Sequence, residues 1–495
     1  MVCQYNKIFY RGSEFVEKQR ALDYILERES LILGISDNIW EVAETAFEEH
    51  KSVEYLCDAL ESEGFEIERN VADIETAFTG RYGEGYPVIG ILGEFDALSG
   101  ISQVPDLAKK EALKEGGNGH GCGHNLLGSG SLAAAIGIKK YLMDTEKSGT
   151  VIYFGCPGEE GGSGKTFMAR EGVFDELDIA LTWHPASVNG VASISSLANY
   201  QILYKFHGIS AHAAANPHDG RSALDAVELL NIGVQFLREH IIQDARIHYA
   251  ITDTGGFSPN VVQPYAEVLY LIRAPETPQV KEIYERVNDI AKGAALMTGT
   301  RLEIDFVKAA SNLVPNNILE AMLYKNLNSV PIPEYTEDEI KYAKGFMEST
   351  GEQKNPMTGL VMKIPDSEKR KLLLSKLKEP ILDFVLPYFK SDQVLPGSTD
   401  VGDVSWICPT SQIAAASWSN NTAAHSWQAV SQGKGSIAHK SVIYAGQVLA
   451  ATAIDLINNT DKIEEAKEEL RSRLGDNEYV CPIPKGVKPR SISGR

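Results

Sequence analysis

Three apolar runs that end on acids or a histidine constrain this chain most. YPVIGILGEFDAL (86–98) is continuously apolar until Gly93-Glu94-Phe95-Asp96. GTVIYFGCPGEEGG (149–162) repeats the design, and DIALTWHPA (178–186) is a third case. A strand with one wet face alternates polar and apolar residues. A strand without alternation is buried on both faces, as in a parallel sheet covered by helices. Ligands gather at the carboxyl ends of such strands. Glu94/Asp96, Glu159/Glu160 and His184 are therefore expected along one edge of an α/β fold. Between them, SGSLAAAIGIKKYLMD (129–144) reads as a small-residue helix able to pack closely on a sheet. The first 70 residues read as helices, with Phe47, Val53, Leu56, Leu60 and Phe65 near helical spacing and Gly64 ending the pattern.

The rhythm changes near residue 197. NYQILYKFHG, RIHYAITDTG, YAEVLYLIRAP and TRLEIDFVKA read as strands. RSALDAVELLNIGVQFLREHI and TPQVKEIYERVNDIAKGAALMTG read as helices. The order βαββαβ over 197–308 is a ferredoxin-like unit. It stands between two parts of a sheet domain, 1–196 and 309–495. Within the second part, 330–395 is rich in Lys, Glu and Pro and reads as a solvated helical face. Strand character returns in STDVGDVSWICP, and SIAHKSVIYAGQVLAATAIDLI (436–457) reads as the helix that closes the first domain.

Composition removes several functions. The chain has 495 residues, with 47 Lys plus Arg against 67 Asp plus Glu, a formal charge of −20. An acidic surface repels phosphate backbones, so no nucleic-acid partner is expected. No apolar run approaches the ~20 residues of a membrane span, and MVCQYNKIFYRG lacks the apolar core of a signal peptide. Six scattered cysteines are too few for a disulfide framework in a chain of this length. A reduced, cytoplasmic protein is the simplest expectation.

Several side chains are suited to chemistry. In GHGCGHNLLG (119–128), His120, Cys122 and His124 alternate, so an extended segment would put all three on one side. The spacing fits a metal site and equally a turn around a buried cysteine. CPGEEGGSGKT (156–166) ends like a phosphate-binding loop, but Glu159 stands where the first glycine is required, and two carboxylates would repel a phosphate. Paired glutamates suit another task, one ligating a metal while its neighbour takes a proton from metal-bound water. An exposed acidic turn is the plain alternative. His184 and His425, each taken singly, read as ordinary core or surface histidines. His212, Asn260 and Arg273 read singly as polar loop or strand-end residues. Spacing assigns no role to His120, His439, Asp400 or Asp403.

Taken together, one Cys, several His and a Glu pair on both sides of an insertion make a metal site. GEFDALSG, NGHGCGHNLLG, GCPGEEGGSGKTFM, REGVFD, LTWHP, GRSALDAV, YLIRAPE, STDVGDVSW, VSQG, SIAHK and CPIPK run through nearly the whole chain. With these motifs it resembles the metal-dependent amidohydrolases of the aminoacylase and glutamate-carboxypeptidase type. The branch is the one in which Cys-Gly-His replaces a bridging aspartate. The resemblance implies hydrolysis of an N-acyl amino acid, p-aminobenzoyl-glutamate first, with other N-acyl amino acids, β-alanyl-type dipeptides or a non-catalytic partner subunit as the alternatives.

The resemblance implies a metallopeptidase-type catalytic domain, with a central mixed sheet flanked by helices, and an inserted lid and dimerisation domain. It implies two divalent cations, with Cys122 bridging and His124, Glu160, His184 and His425 completing their shells. Glu159 would be the general base. His212 would stabilise the oxyanion of a neighbouring subunit, and Asn260 and Arg273 would hold the substrate's carboxylate. Glu94 and Asp96 stand where the wider family has His-x-Asp, and support is expected of them, not ligation. Thiolate and imidazole favour Zn, carboxylate is compatible with Mn, and the branch points to Mn first. The expected partners are a small amide substrate bearing a carboxylate, and either a second copy of the chain or a related A-type subunit.

Overall fold

The computed structural model describes residues 2–491 except 352–354, 356 and 392, with side chains from Glu14 onward. The larger sheet has seven strands: β1 (Glu66–Arg69), β2 (Phe78–Glu84), β3 (Val88–Glu94), β4 (Gly149–Cys156), β5 (Ile179–Ala186), β6 (Gly190–Val191) and, much later, β13 (Thr410–Ala416). Their order is β1-β2-β4-β3-β5-β13-β6. The centre, β4-β3-β5-β13, is parallel, and antiparallel strands lie outside it. The three apolar runs are therefore adjacent parallel strands, and Glu94 lies beside Cys156 in register. Strands β1, β2 and β13 escape a reading of the sequence. β1 follows directly on the helical start of the chain, and its EIER is largely exposed.

The small pair β7 (Ser195–Ser196) and β12 (Val394–Leu395) bridges distant segments. A second sheet holds β8 (Ala198–His207), β9 (Arg246–Asp253), β10 (Tyr265–Ala274) and β11 (Arg301–Ala310), all antiparallel, in the order β11-β8-β10-β9. Burial alternates along β8 and β10, so only one face is covered.

The helices are α1 (Val2–Glu27), α2 (Glu29–Val42), α3 (His50–Ser62), α4 (His124–Thr145), α5 (Gly164–Arg170), α6 (Ala223–Leu237), α7 (Thr277–Thr298) and α8 (Asn317–Ser329). They continue with α9 (Glu337–Ser349), α10 (Thr358–Met362), α11 (Ser367–Lys376), α12 (Val401–Ile407), α13 (Trp427–Gln432), α14 (Ser436–Ile457) and α15 (Asp461–Leu474). Helices α6 and α7 pack on the second sheet, completing the ferredoxin-like unit.

Helices α4 and α14 form the main contact of the catalytic body. Their small residues let the backbones approach. A Cβ on Gly446 would stand 2.5 Å from the Ala133 side chain, and one on Gly130 would meet the Trp183 ring at 2.6 Å. Trp183 is fully buried beside His184, and its indole N–H donates to the Leu127 carbonyl at 3.0 Å. Helix α14 is, among the described residues, long and apolar enough by composition to cross a bilayer. Its apolarity is used inside the protein, with 78% of the most apolar window buried.

Two expectations change. STDVGDVSWICP is not a strand: Val401–Ile407 is helical, with Val401 and Val404 both buried on one side. Val401 and Val404, three apart, share one face of a helix but would point to opposite faces of a strand. Residues 330–395 are more than a solvated face. Val361, Ile364, Leu373, Leu377, Leu382, Phe384 and Leu386 form a small core of their own, and Ala343 of α9 packs with Ile381 and Ile437.

Candidate metal centre

The carboxyl ends of β3, β4 and β5 open toward one another and deliver Glu94/Asp96, Glu159/Glu160 and His184. Two further segments close the group. Gly123, at φ +75°, turns the chain into α4, so that Cys122 precedes the helix and His124 is its first residue. The loop after β13 brings His425, itself at φ +60°, with its N–H donating to the Gly121 carbonyl at 2.7 Å. The alternation of His120, Cys122 and His124 is broken by this turn. His120 faces the other way, its Nε2 3.0 Å from the Ile39 carbonyl.

The donor atoms fall into two groups that share one sulfur. Cys122, His124 and His184 form one group and Cys122, Glu160 and His425 the other, with the atoms of each within 4.8 Å of one another. Cys122 Sγ is 3.4 Å from His184 Nε2, and Glu160 Oε1 is 3.1 Å from His425 Nε2. Ligands ~2.0–2.3 Å from a tetrahedral cation stand roughly 3.5 Å apart, so these separations fit a metal. Outer partners aim the rings. His124 Nδ1 is 2.8 Å from Asp96 Oδ1, which assigns the proton to Nδ1 and frees Nε2. That buried Nε2 has no hydrogen-bond partner, an orphan a cation would satisfy. His184 Nδ1 donates to the Pro185 carbonyl at 2.8 Å, which likewise frees its Nε2.

Asp96 does two tasks, since its Oδ2 also accepts from the Glu160 N–H at 2.9 Å. The same turn is held from the other side by Glu49, whose carboxylate accepts from the Gly158 N–H at 2.9 Å. Glu49 lies in a run of charged residues opening α3, and no sequence signal separates it from a surface acid. Glu94 is buried too, with Oε2 3.3 Å from His124 Nε2. Glu94, His124 and Glu159 make a third group of donor atoms within 4.8 Å.

Electrostatics separates the two glutamates. Burial, then Glu94, Asp400 and Glu160, push Glu159 well above the usual carboxylate range, as suits a proton acceptor. Burial also acts against the charged form of Glu160, but His425 and His124 outweigh it and hold the carboxyl at about 2. Burial would raise the Cys122 thiol. His184 and His124 more than offset it, leaving the thiol at about 6, so it is a thiolate at neutral pH.

The three lid residues lie apart from these groups. His212 is exposed, its Nδ1 accepting from the N–H groups of Ala214 and Ala215 at 3.2 Å each. Asn260 is exposed next to it, its carbonyl accepting from the Ala213 N–H at 2.9 Å. Arg273, at the end of β10, donates to Ser398 Oγ at 3.1 Å, and its buried Nε has no partner. Of the residues without assigned roles, His439 bonds Asp37 at 2.9 Å. Asp403 accepts from Thr166, Ser311 and Tyr479, a structural junction. Asp400 pairs with Lys165, the buried lysine of the GSGKT segment, to which a reading of the sequence assigns no role.

Comparison with known proteins agrees with this geometry. Residues 195–297 match the peptidase dimerisation domain family. The B-type subunit of p-aminobenzoyl-glutamate hydrolase from Escherichia coli is 49% identical over 461 residues, 92% of this chain and 95% of that protein. The Xaa-Arg dipeptidase of Mus musculus is 26% identical, covering 94% of each chain. A Bacillus subtilis structure described as a dinuclear metal binding peptidase from the M20 family superposes with a TM-score of 0.51 at 17% identity, over 87% of this chain and 98% of its own. Identity of this extent to the E. coli protein leaves one assignment: the chain belongs to the M20 family of metal-dependent peptidases and amidohydrolases, in the branch of the B-type p-aminobenzoyl-glutamate hydrolases.

Proposed function

We propose that this protein hydrolyses the amide bond of p-aminobenzoyl-glutamate, releasing p-aminobenzoate and glutamate. The observation that carries the reading is the pair of ligand groups sharing Cys122, with Glu159 outside both but its carboxylate within 4.8 Å of His124 and Glu94 donor atoms. Cys122, His124 and His184 would hold one divalent cation, and Cys122, Glu160 and His425 the other, Mn before Zn. Such a pair supplies Lewis acidity and a water acidified toward pH 7. Glu159 takes the proton of the attacking water on its carboxylate and passes it to the leaving α-amino nitrogen of glutamate. Among the described residues Arg273 pairs with no carboxylate, bonding Ser398 Oγ and the Pro396 carbonyl, so its guanidinium is suited to the glutamate end of the substrate. Asn260 adds a polar contact there.

His212 donates to the oxyanion from a neighbouring subunit. The lid supplies the surface for that subunit: Tyr249 and Ile251 on edge strand β9, with Ile232 and Phe236 on α6, are exposed apolar side chains. A second copy or an A-type subunit would cover them. The described cysteines are all free, which fits a reducing cytoplasm.

The test is glutamate release from p-aminobenzoyl-glutamate by Mn- and Zn-loaded protein, beside N-acyl amino acids and dipeptides. Cleavage of dipeptides alone would move the assignment toward the dipeptidase relative. Metal binding without any turnover would make the chain a non-catalytic partner.

A further inference from the structure

We propose that Lys165 is a positioning residue of this site: its buried ammonium anchors the Glu94 carboxylate beside His124 and ties it, through Asp400, to the second part of the catalytic domain. The inference rests on the metal-dependent reading above, but it concerns a group that reading does not use.

Lys165 is wholly buried. A buried ammonium is tolerated only when its charge is met by close partners. Here two carboxylates meet it, Glu94 Oε1 at 2.6 Å and Asp400 Oδ1 at 2.7 Å. Asp400 also accepts from the Lys165 backbone N–H at 2.9 Å through its other oxygen, so it grips both ends of the residue. The three residues come from the end of β3, the start of α5 and the residue before α12. One cation between two carboxylates leaves a single net negative charge. It faces the site, because the oxygen of Glu94 not used by Lys165 is the one 3.3 Å from His124 Nε2. Asp96 sets the direction of the His124 ring from its Nδ1 side, and Glu94 adds a fixed anion on its Nε2 side.

A purely structural role would be met as well by apolar side chains of the same volume, since buried ion pairs seldom stabilise more than such replacements. What apolar residues could not do is hold a carboxylate oxygen at a set place next to a metal-binding nitrogen. Outer partners of metal ligands usually change metal affinity or activity ~10–100-fold when removed. That is the size of effect expected here.

The test keeps the buried net charge constant. Lys165→Met/Asp400→Asn removes one positive and one negative charge and leaves Glu94 without its anchor. Glu94→Gln and Glu94→Gln/Lys165→Met form the comparison. Metal affinity is read by competition with a chelating dye for Mn2+ and Zn2+, and kcat and KM are measured separately on p-aminobenzoyl-glutamate. The expected result for Lys165→Met/Asp400→Asn is ~10–100-fold weaker metal binding and a similar fall in kcat, with KM within about twofold. Glu94→Gln should lose as much, and adding Lys165→Met to it should cost little more, because Lys165 acts through Glu94.

A folded Lys165→Met/Asp400→Asn protein with wild-type metal affinity and kcat overturns the proposal, as do losses that multiply when Lys165→Met is added to Glu94→Gln. Asp400→Asn alone keeps the Lys165–Glu94 pair and serves if the double variant does not fold. It should weaken metal binding in the same direction by a smaller factor, and wild-type values there would reduce the network to a structural one. Should the wild-type protein bind metal but not cleave this substrate, the substrate reading fails while the affinity measurements still decide the role of Lys165.

Discussion

At the strand ends nearly every side chain aimed into the site is held by another. Asp96 holds His124 and the Glu160 backbone, Pro185 holds His184, Glu49 holds the turn before Glu159, and Lys165 holds Glu94. On the lid the pattern reverses. His212 and Asn260 are exposed on two loops that bond to each other only through the backbone, Ala213 N–H to the Asn260 carbonyl, and Arg273 keeps a buried Nε–H without a partner among the described residues. Side chains fixed by outer partners are pre-organised for ligands that tolerate little displacement, as metals do. Side chains left open on an inserted unit suit a surface completed by substrate or a second subunit. The sharpest way to break this contrast is to change one residue of each kind and ask whether metal binding or turnover responds.

The largest effect is expected at the unassigned glutamate. Glu159→Gln should lower kcat by about 100–10,000-fold, the usual range for removing a general base, with metal content near wild type. If the metal is lost instead, Glu159 is a ligand and the roles within the pair are exchanged. His212→Ala should come next, with a loss of ~100–1000-fold in kcat and unchanged metal affinity. Mixing it with Glu159→Gln tests where it acts. A mixed dimer has one site with both residues intact, so part of the activity should return. No recovery in a mixture shown to contain mixed dimers would place His212 in its own chain's site. Third, Asp96→Asn should weaken metal binding ~10–100-fold, because it loosens the His124 ring and the Glu160 turn together. Wild-type affinity there would mean the ligand rings need no outer support.

The same contrast explains what can be read from the chain alone. Buried strands advertise themselves through unbroken apolar runs, so β3, β4 and β5 and the acids that end them are legible. So is the alternation of β8 and β10, because one face is covered and the other is not. The exposed EIER of β1 has no such signature, and neither does the short helix at Val401. Ligand identities are legible through local motifs, since cysteine, histidine and paired glutamates are chemically unusual at strand ends. Their outer partners are not. Glu49 is one acid among several in its run, and Lys165 stands in a motif set aside for lacking a glycine at 159. What distinguishes both is burial beside a residue far away in sequence, 109 positions for Glu49 and Gly158 and 235 for Lys165 and Asp400. Local patterns carry no record of such pairings.

The smallest effect tests how the lid is attached to the body. The chain after α15 runs back over the catalytic domain and reaches β11, where Arg490 grips Asp305 with both nitrogens, Nη1 to Oδ2 at 2.8 Å. Arg490 is the main cause that draws the Asp305 carboxyl down to about 2, with Lys205 adding a second contact at 3.0 Å. Both partners keep some exposure, with side chains 33% and 20% accessible, so the pair is screened and worth only ~0.2–1 kcal/mol. Lys205 stays behind when Arg490 is removed, which limits the loss further. The sign follows from the depressed carboxyl. An unfolded aspartate titrates near about 3.9, so the contribution is fully present above that pH and is lost as pH falls toward about 2. Arg490→Ala should therefore be slightly less stable to urea at pH 7, with faster amide exchange along β11 and unchanged exchange in α4. The difference from wild type should shrink between pH 4 and pH 2. A deficit independent of pH would show that the tail holds the lid by packing, through Ile483 and its neighbours, and not through this ion pair.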